Sequence, residues 1–450
     1  MAINKERAWQ AVKDLSYERV TGTDGEKKAA EYLKAACKKL GVKAEIETFE
    51  IEQSTIDKVS LTVGGKSYPV IGVGNTADTP AKGVEAPMVY LGAGGEADLH
   101  DVAGKICLIS GRIGGKTVKK LKELGALAFI GVHGGLWDND PKLISEPRPK
   151  DLRGKEPGGI PGVSMRIEDA EALVKGGLDK PARIVLKNTT KKVKARNVVA
   201  VIPGTRLPQE EIAFSAHFDS VRWSKGSWDN ASGSVILLEL MNHYVENKPD
   251  RTLRFVWCGA EEIGLKGSEA YCEQHKDELE KIIYNLNFDM AGVTLGGRYF
   301  TVTGSDTILN QMEFFSKVKG FALDAKMGLA SSDSTSFAAA GVPAATLGQL
   351  PPMGGAQIHH YRDDMERMDP DTLCRHMEFT LEYIDPIIRS AVNPIPREFS
   401  KAANEALDRR KKMMAEMEGK KEEEKPGDKK GKKGDKKEPK KDDKKKKAKK

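Results

Sequence analysis

From the amino terminus, apolar residues recur first at helical and then at strand period, so segment 1–55 reads as helix, helix, strand. Ala29, Ala30, Leu33, Ala36, Cys37 and Leu40 fall on one helical face, and Gly41 follows as the stop. Thr23 and Glu26 have the spacing of a capping box at the head of that helix. Residues 44–51 alternate apolar and charged side chains, as a half-buried strand does. Between 60 and 184 the texture changes to short apolar runs punctuated by Gly and Pro. Strands are predicted there at 105–110 and 127–132, and helices at 118–124 and 167–174. His133 reads as a strand-end or loop histidine, because no second ligand type lies near it.

From residue 196 onward, strands alternate with helices. Apolar runs at 197–202, 212–216, 252–258, 282–288 and 344–347 predict strands, and 232–246, 268–275, 308–317 and 335–340 predict helices. This alternation implies an α/β fold: a mixed, mainly parallel sheet covered by helices on both faces. In such sheets, sites collect at the carboxyl ends of strands. Residues 370–389 form a last amphipathic helix, with Leu373, Met377, Thr380, Leu381 and Ile384 on one side, and 398–417 is a further helical stretch.

A length of 450 residues exceeds one average domain. The net charge of +7 invites a nucleic-acid reading until it is located. Residues 411–450 hold 19 Lys, no Arg and 10 acidic side chains, a net of +9, which leaves −2 on residues 1–410. That tail has no aromatic and almost no apolar residues, so it is predicted to stay disordered. Acidic interruptions and the lack of Arg and aromatics argue against specific nucleic-acid binding. No apolar run approaches the roughly 18 residues of a membrane span. The amino terminus lacks the apolar core of a secretory signal, so a cytoplasmic location is expected. The five cysteines are odd in number, far apart and without a CxxC, which speaks against both a disulfide framework and a cysteine zinc site.

Five polar clusters sit at predicted strand ends or loops: His217-Phe218-Asp219-Ser220, Trp228-Asp229-Asn230, Glu261-Glu262, Phe288-Asp289, and His359-His360 with Asp363-Asp364. Each alone is weak. Together they supply only nitrogen and oxygen donors, which suit zinc and related divalent ions. Two His and three carboxylates suffice for two ions, about 3.5–4 Å apart, if one carboxylate bridges. Asp229 is the natural bridge, because its loop opens the 232–246 helix beside His217. Within Glu261-Glu262, one carboxylate binds metal and the other reaches the bound water.

These residues resemble the co-catalytic di-zinc aminopeptidases related to glutamate carboxypeptidase II. The carriers are His217-Phe218-Asp219-Ser220, Asp229-Asn230-Ala231-Ser232-Gly233, Glu261-Glu262-Ile263-Gly264 with Gly267-Ser268, Asn287-Phe288-Asp289-Met290, Ser332-Asp333 with Gly341-Val342-Pro343, and His359 four residues before Asp363. The resemblance covers roughly 5–55 and 195–390. It implies that His217 and Asp289 hold one zinc, Glu262 and His359 the other, and Asp229 both. It also implies that Asp219 orients His217 and that Glu261 is the general base. Mn2+ and Co2+ are the alternative metals. Ser334 stands where the family often has His, a position outside the ligand set. Asp369-Pro370 sets the register that selects His359, although His360 and Asp364 have the same spacing.

The segment 56–192 resembles an inserted protease-associated domain, through Asp101-Val102-Ala103-Gly104-Lys105-Ile106, Leu124-Gly125-Ala126 and Ile160-Pro161-Gly162-Val163-Ser164. The expected organisation is a metal-binding domain over 1–55 and 193–395, a β-rich insert over 56–192, and a helical extension with tail over 396–450. The activity implied is removal of amino-terminal residues from peptide substrates, by a water between two metals and a Glu base. Carboxypeptidase or dipeptidase preference is the alternative, with Arg222, Arg298 and Arg362 as candidate carboxylate partners; a non-catalytic binding protein fits poorly, since every ligand is present. Trp223 and Trp228 are equally candidates for a substrate pocket or for packing.

Overall fold

Four parallel strands set the frame of the molecule. In spatial order they are Ala344–Leu350, Ile282–Phe288, Leu207–His217 and Arg251–Cys258. The computed structural model that describes them covers residues 3–111, 113–134, 159–352 and 355–417. The predicted disordered tail therefore lies, beyond residue 417, outside the described residues. Every residue of Arg251–Cys258 and of Ile282–Phe288 is buried, as strands covered on both faces must be.

The sheet is mixed at its flanks. Gly297–Thr303 lies antiparallel to Ala344–Leu350 and carries the short edge strand Asp324–Met327. Neither strand is among those the hydrophobic pattern predicts. On the other flank, Ala182–Ile202 runs antiparallel to Arg251–Cys258, and Ala44–Val63 antiparallel to Ala182–Ile202. One face of the sheet packs against helices Lys5–Leu15, Asp24–Lys39, Ser232–Glu246 and Pro370–Arg389. The other face carries Lys266–Gln274 and Ser334–Ala339, with Leu407 of helix Lys401–Met417 against their core. Aromatic rings tie the central strands together: Phe214 lies 5.4 Å from Phe255 and 6.4 Å from Phe288.

The capping box expected at Thr23 does not form. Thr23 Oγ1 donates instead to the Val20 carbonyl at 2.6 Å, and its side chain caps nothing. Glu26 is drawn away because it is fully buried against the Arg196 guanidinium. Gly41 does take the left-handed conformation of a helix stop, at φ 73°.

The strand predicted at 44–51 is the start of a much longer ribbon. Ala44–Val63 pairs with Ala182–Ile202 from Ala44↔Ala200 to Val63↔Ala182, with one irregularity between Ile56 and Lys58. The extra residue there is a β-bulge, which bends a ribbon and strengthens its twist. The outer half of the ribbon supports a second sheet, ordered Val70–Gly72, Gly162–Arg166, Ala128–His133, Ile106–Ile109 and Met88–Tyr90. Three of its four pairings are parallel. Leu61, Val63, Ile184 and Leu186 of the ribbon share a core with Ile106, Leu108, Ile130 and Val163. His133 ends its strand, buried, with Nδ1 3.0 Å from Ser164 Oγ.

Phe214 stands at the centre of the main core, so Phe214→Ala is expected to lower stability by about 3–5 kcal/mol. Denaturant unfolding measures this; a loss below about 1 kcal/mol would mean that the aromatic stack does not bind the strands together.

Candidate metal centre

The carboxyl ends of three parallel strands deliver most of the polar residues. His217 is the last residue of its strand and Asp219 follows by two. Glu261 and Glu262 follow Cys258, and Asp289 follows Phe288 directly. Asp229 comes from the loop ahead of the Ser232–Glu246 helix, and His359 from the loop beyond Ala344–Leu350. His217 Nε2 lies 3.1 Å from Asp229 Oδ1 and 3.3 Å from Asp289 Oδ1. His359 Nε2 lies 2.8 Å from Glu262 Oε2 and 3.3 Å from Asp229 Oδ2. Asp229 thus offers one oxygen to each histidine. His360 is not in this group: its Nδ1 accepts from the Arg362 amide at 3.1 Å, and its ring packs 4.2 Å from that of Tyr361.

The donor atoms form overlapping groups. His217, Asp229 and Asp289 make one, Asp229, Glu262 and His359 a second, and His217, Glu261 and Glu262 a third, each within 4.8 Å. The six side chains His217, Asp229, Glu261, Glu262, Asp289 and His359 therefore stand together as the sequence predicts, and Asp219 stands behind them.

Asp219 organises two loops at once. Its carboxylate accepts the amides of Glu261 at 3.1 Å and Glu262 at 3.3 Å, and the Thr21 hydroxyl at 3.0 Å. Oδ1 also faces His217 Nδ1 at 3.5 Å. The Asp229 loop is stitched to the Asp289 loop in a similar way. Asn230 Oδ1 accepts the amides of Gly233 at 2.9 Å and Met290 at 3.2 Å, while its Nδ2 donates to the Phe288 carbonyl at 2.8 Å. Ser232 Oγ donates to Trp228 O and accepts from Ala291 N. Gly233 has no room for a side chain, since a Cβ there would lie 2.4 Å from the Phe288 carbonyl. Ala260, Met290 and His359, beside or within the ligand set, all have positive φ, a conformation seldom taken by residues with a side chain.

Charge is the dominant feature of the site. Asp219, Asp229, Glu261, Asp289, Asp333 and Asp363 are all buried, and Glu262 exposes little of its side chain. Burial pushes the carboxyls of Glu261 and Glu262 above their usual range, against the pull of His217 and His359. Burial also lifts Asp333 to about 7 and Asp363 to about 8. Burial works against the His217 imidazolium, yet Glu261 and Asp289 raise its affinity for a proton well above the ordinary. Burial penalises the Asp229 carboxylate as well, but hydrogen bonds from His217 and His359 hold it well below its usual range. His217 Nδ1 and Glu262 Oε1 are buried without a hydrogen-bond partner. An excess of buried acceptors over donors, built from imidazole and carboxylate, is the chemistry of a divalent cation site.

Other side chains singled out in the sequence fall outside this group. Trp228 is buried in the main core. Arg298 turns to His376 Nε2 at 3.2 Å and lies 4.3 Å from the centroid of the Phe321 ring. Arg19, which the sequence pattern does not mark, is fully buried beside the centre.

These shifts set a pH dependence. Glu261, Glu262, Asp333, Asp363 and His217 all hold protons more tightly when folded than when unfolded. Their contribution to stability is complete below the unfolded values and is lost as pH rises through the folded ones. Asp229 acts oppositely, but its window lies below the ordinary carboxylate range. Metal-free protein is therefore expected to melt at progressively lower temperature between about pH 5 and pH 8, and zinc, which would displace the protons of His217 and Glu262, to reduce the slope. Thermal melts with and without chelator measure it; a metal-free melting temperature that rises with pH contradicts the burial argument.

The chain is similar to known peptidases in sequence and in fold. Residues 197–384 match the model of Peptidase family M28. An aminopeptidase of Bacillus subtilis, YwaD, is 31% identical over 283 residues, 61% of this chain and 59% of that one. An aminopeptidase of Pseudomonas aeruginosa is 28% identical, over 64% of this chain and 56% of its own length. The chain thus spans about three fifths of the length of the curated relatives it matches. A zinc aminopeptidase from Bacillus subtilis superposes with a TM-score of 0.74 at 24% identity, over 89% of this chain and 99% of that one. The aminopeptidase of Aneurinibacillus strain AM-1 gives 0.68 at 25% identity, over 88% and 96%. Residues 197–384, which carry every strand end of the centre, are thus similar to Peptidase family M28.

Proposed function

We propose that the protein is a zinc aminopeptidase in which a water held between two zinc ions attacks the first peptide bond of a substrate and Glu261 takes its proton. The observation that carries this reading is the split of Asp229 between His217 and His359, 3.1 Å and 3.3 Å from its two oxygens. In this reading His217 and Asp289 would hold one ion, Glu262 and His359 the other, and Asp229 both. Zinc in such a site lowers the pKa of water and polarises the scissile carbonyl.

The remaining steps belong to the chain's own side chains. Glu261 is buried and its carboxyl binds a proton more readily than an exposed one. That suits a group that accepts a proton from the attacking water and returns it to the departing amine. Asp219 fixes the main chain of Glu261 and Glu262 through two amide hydrogen bonds, so that the base and its neighbouring ligand keep one geometry. The zinc aminopeptidase of Bacillus subtilis that shares this fold supports the choice of metal. The carboxypeptidase alternative loses one of its candidate anchors, because Arg298 is engaged with His376 and Phe321. We assign the segment 56–192 to a protease-associated domain that shapes access for peptide substrates.

Glu261→Gln is expected to keep both zinc ions by elemental analysis and to lose roughly 10²–10⁴-fold in turnover. Aminoacyl-anilides are expected to be cleaved and their N-acetylated counterparts left intact. Wild-type turnover in Glu261→Gln would remove Glu261 as the base, and preference for the blocked substrates would reject the aminopeptidase reading.

A further inference from the structure

Residues 217–229 carry His217 at one end and Asp229 at the other, yet residues 218–226 between them belong to no helix or strand. Loops of this kind are normally mobile, whereas this one must hold two ligands in register. Two buried polar side chains, Arg19 and Asp363, act on it. The Arg19 guanidinium donates to the carbonyls of Phe218 at 2.6 Å, Lys225 at 2.7 Å and Gly226 at 2.8 Å. It also donates to Tyr17 O at 2.8 Å and to Leu15 O, which fastens the same group to the end of helix Lys5–Leu15. The main chain of Arg19 adds a reciprocal pair with Ser220: its amide donates to Oγ at 2.9 Å, and its carbonyl accepts the Ser220 amide at 3.3 Å.

Asp363 grips the other polarity of the same turn. Its carboxylate accepts the amides of Trp228 at 2.8 Å and Asp229 at 3.2 Å, and lies 3.5 Å from Ser224 Oγ. A cation thus takes the carbonyls at 218, 225 and 226, and the two carboxyl oxygens of Asp363 take the amides at 228 and 229. The fit is close, since a Cβ on Gly226 would lie 2.8 Å from Arg19 Nη2. These bonds run to main-chain atoms of the loop and to the Ser220 and Ser224 hydroxyls, and none of them takes the imidazole of His217 or the carboxylate of Asp229.

We propose that Arg19 and Asp363 are a positioning pair that sets the 218–229 turn before metal arrives, so that Asp229 already stands between His217 and His359. The proposal rests on the metal-centre reading above. Arginine is required rather than a generic cation, because three loop carbonyls are met by one planar fork that lysine does not possess. A preset loop spares metal binding the cost of ordering it, so loss of the pair appears as weaker metal affinity.

The test uses the full chain with Arg19→Lys, Arg19→Met and Asp363→Asn. Zinc affinity is read by competition with a chromophoric chelator, loop order by amide hydrogen exchange over 218–229 in metal-free protein, and ligand geometry by the visible spectrum of the cobalt-substituted form. Both Arg19 variants are expected to lose roughly 10–100-fold in zinc affinity, to exchange faster over 218–229 and to shift the cobalt bands. Asp363→Asn is expected to move in the same direction. Wild-type affinity and exchange in Arg19→Lys would overturn the proposal. If the Arg19 variants do not fold, Asp363→Asn decides, because it is nearly isosteric; unchanged exchange and affinity there overturn it. Wild-type protein that binds no zinc would sink the metal-centre reading and the pair with it. Zinc binding that the variants leave untouched sinks the pair alone.

Discussion

Buried negative charge is the constraint on which the rest of the structure depends. Seven carboxylates converge at the ends of the central strands, and two histidines and one guanidinium stand among them. A carboxylate out of water costs several kcal/mol unless it is paired. The chain meets part of that cost with main-chain amides: Asp219 takes two and Asp363 takes two. Protons on the raised carboxyls meet another part. The remaining part is a demand for cations at the ligand oxygens, and it is what turns a collection of acidic residues into a site. The same demand explains why the residues that do not face the centre, Asp219 and Asp363, are as deeply buried as those that do.

The sheet makes this concentration geometrically cheap. Parallel strands direct their carboxyl ends to one edge, so His217, Glu261 and Asp289 converge although they are 72 residues apart at the extremes. The ligands that do not come from strand ends come from loops held by side chain to main chain bonds. Asn230 and Ser232 fasten the Asp229 loop to the Asp289 loop, so the two loops can only shift together. Left-handed backbone at Ala260, Met290 and His359 marks where direction is forced by the site and not by the local sequence.

What could be read in the sequence follows from what is local. The buried central strands are continuous apolar runs, and Ile282–Phe288 ends where the pattern ends. Helices Ser232–Glu246 and Pro370–Arg389 likewise keep their sequence boundaries, the latter with Asp369 accepting the Thr372 amide at its cap. Donor chemistry at strand ends pointed to the side chains that the fold brings together, because a polar cluster directly after an apolar run is a local signal. Legibility failed where long-range partners decide. The edge strand Asp324–Met327 has no buried residue and exists because Gly297–Thr303 offers it a partner. Glu26 looked like a cap and is an ion-pair partner of Arg196, 170 positions away. Arg19 sits in a short polar stretch with no periodicity at all, and its role needs five carbonyls from three separate segments.

The ribbon that carries the second sheet bears on the centre through packing. Its inner half supplies Ile51 and Ala195, with Phe49 and Val193, to a small apolar cluster completed by Ala260 and Ile263. Those last two residues flank Glu261 and Glu262, so the ribbon is the wall against which that turn is set. The approach is tight on the backbone side as well: a Cβ on Gly259 would lie 2.3 Å from the Arg196 carbonyl. A closely packed contact has few alternative arrangements, so the inner ribbon restricts where the Glu261–Glu262 turn can sit. Beyond the bulge at Ile56 and Lys58 that restriction ends, and the ribbon belongs to the core of the second sheet. The bulge is thus the point at which the continuous pair of strands passes from supporting the Glu261–Glu262 turn to supporting the second sheet. The second sheet carried on such a ribbon is fixed at its base by the same two strands that wall the Glu261–Glu262 turn.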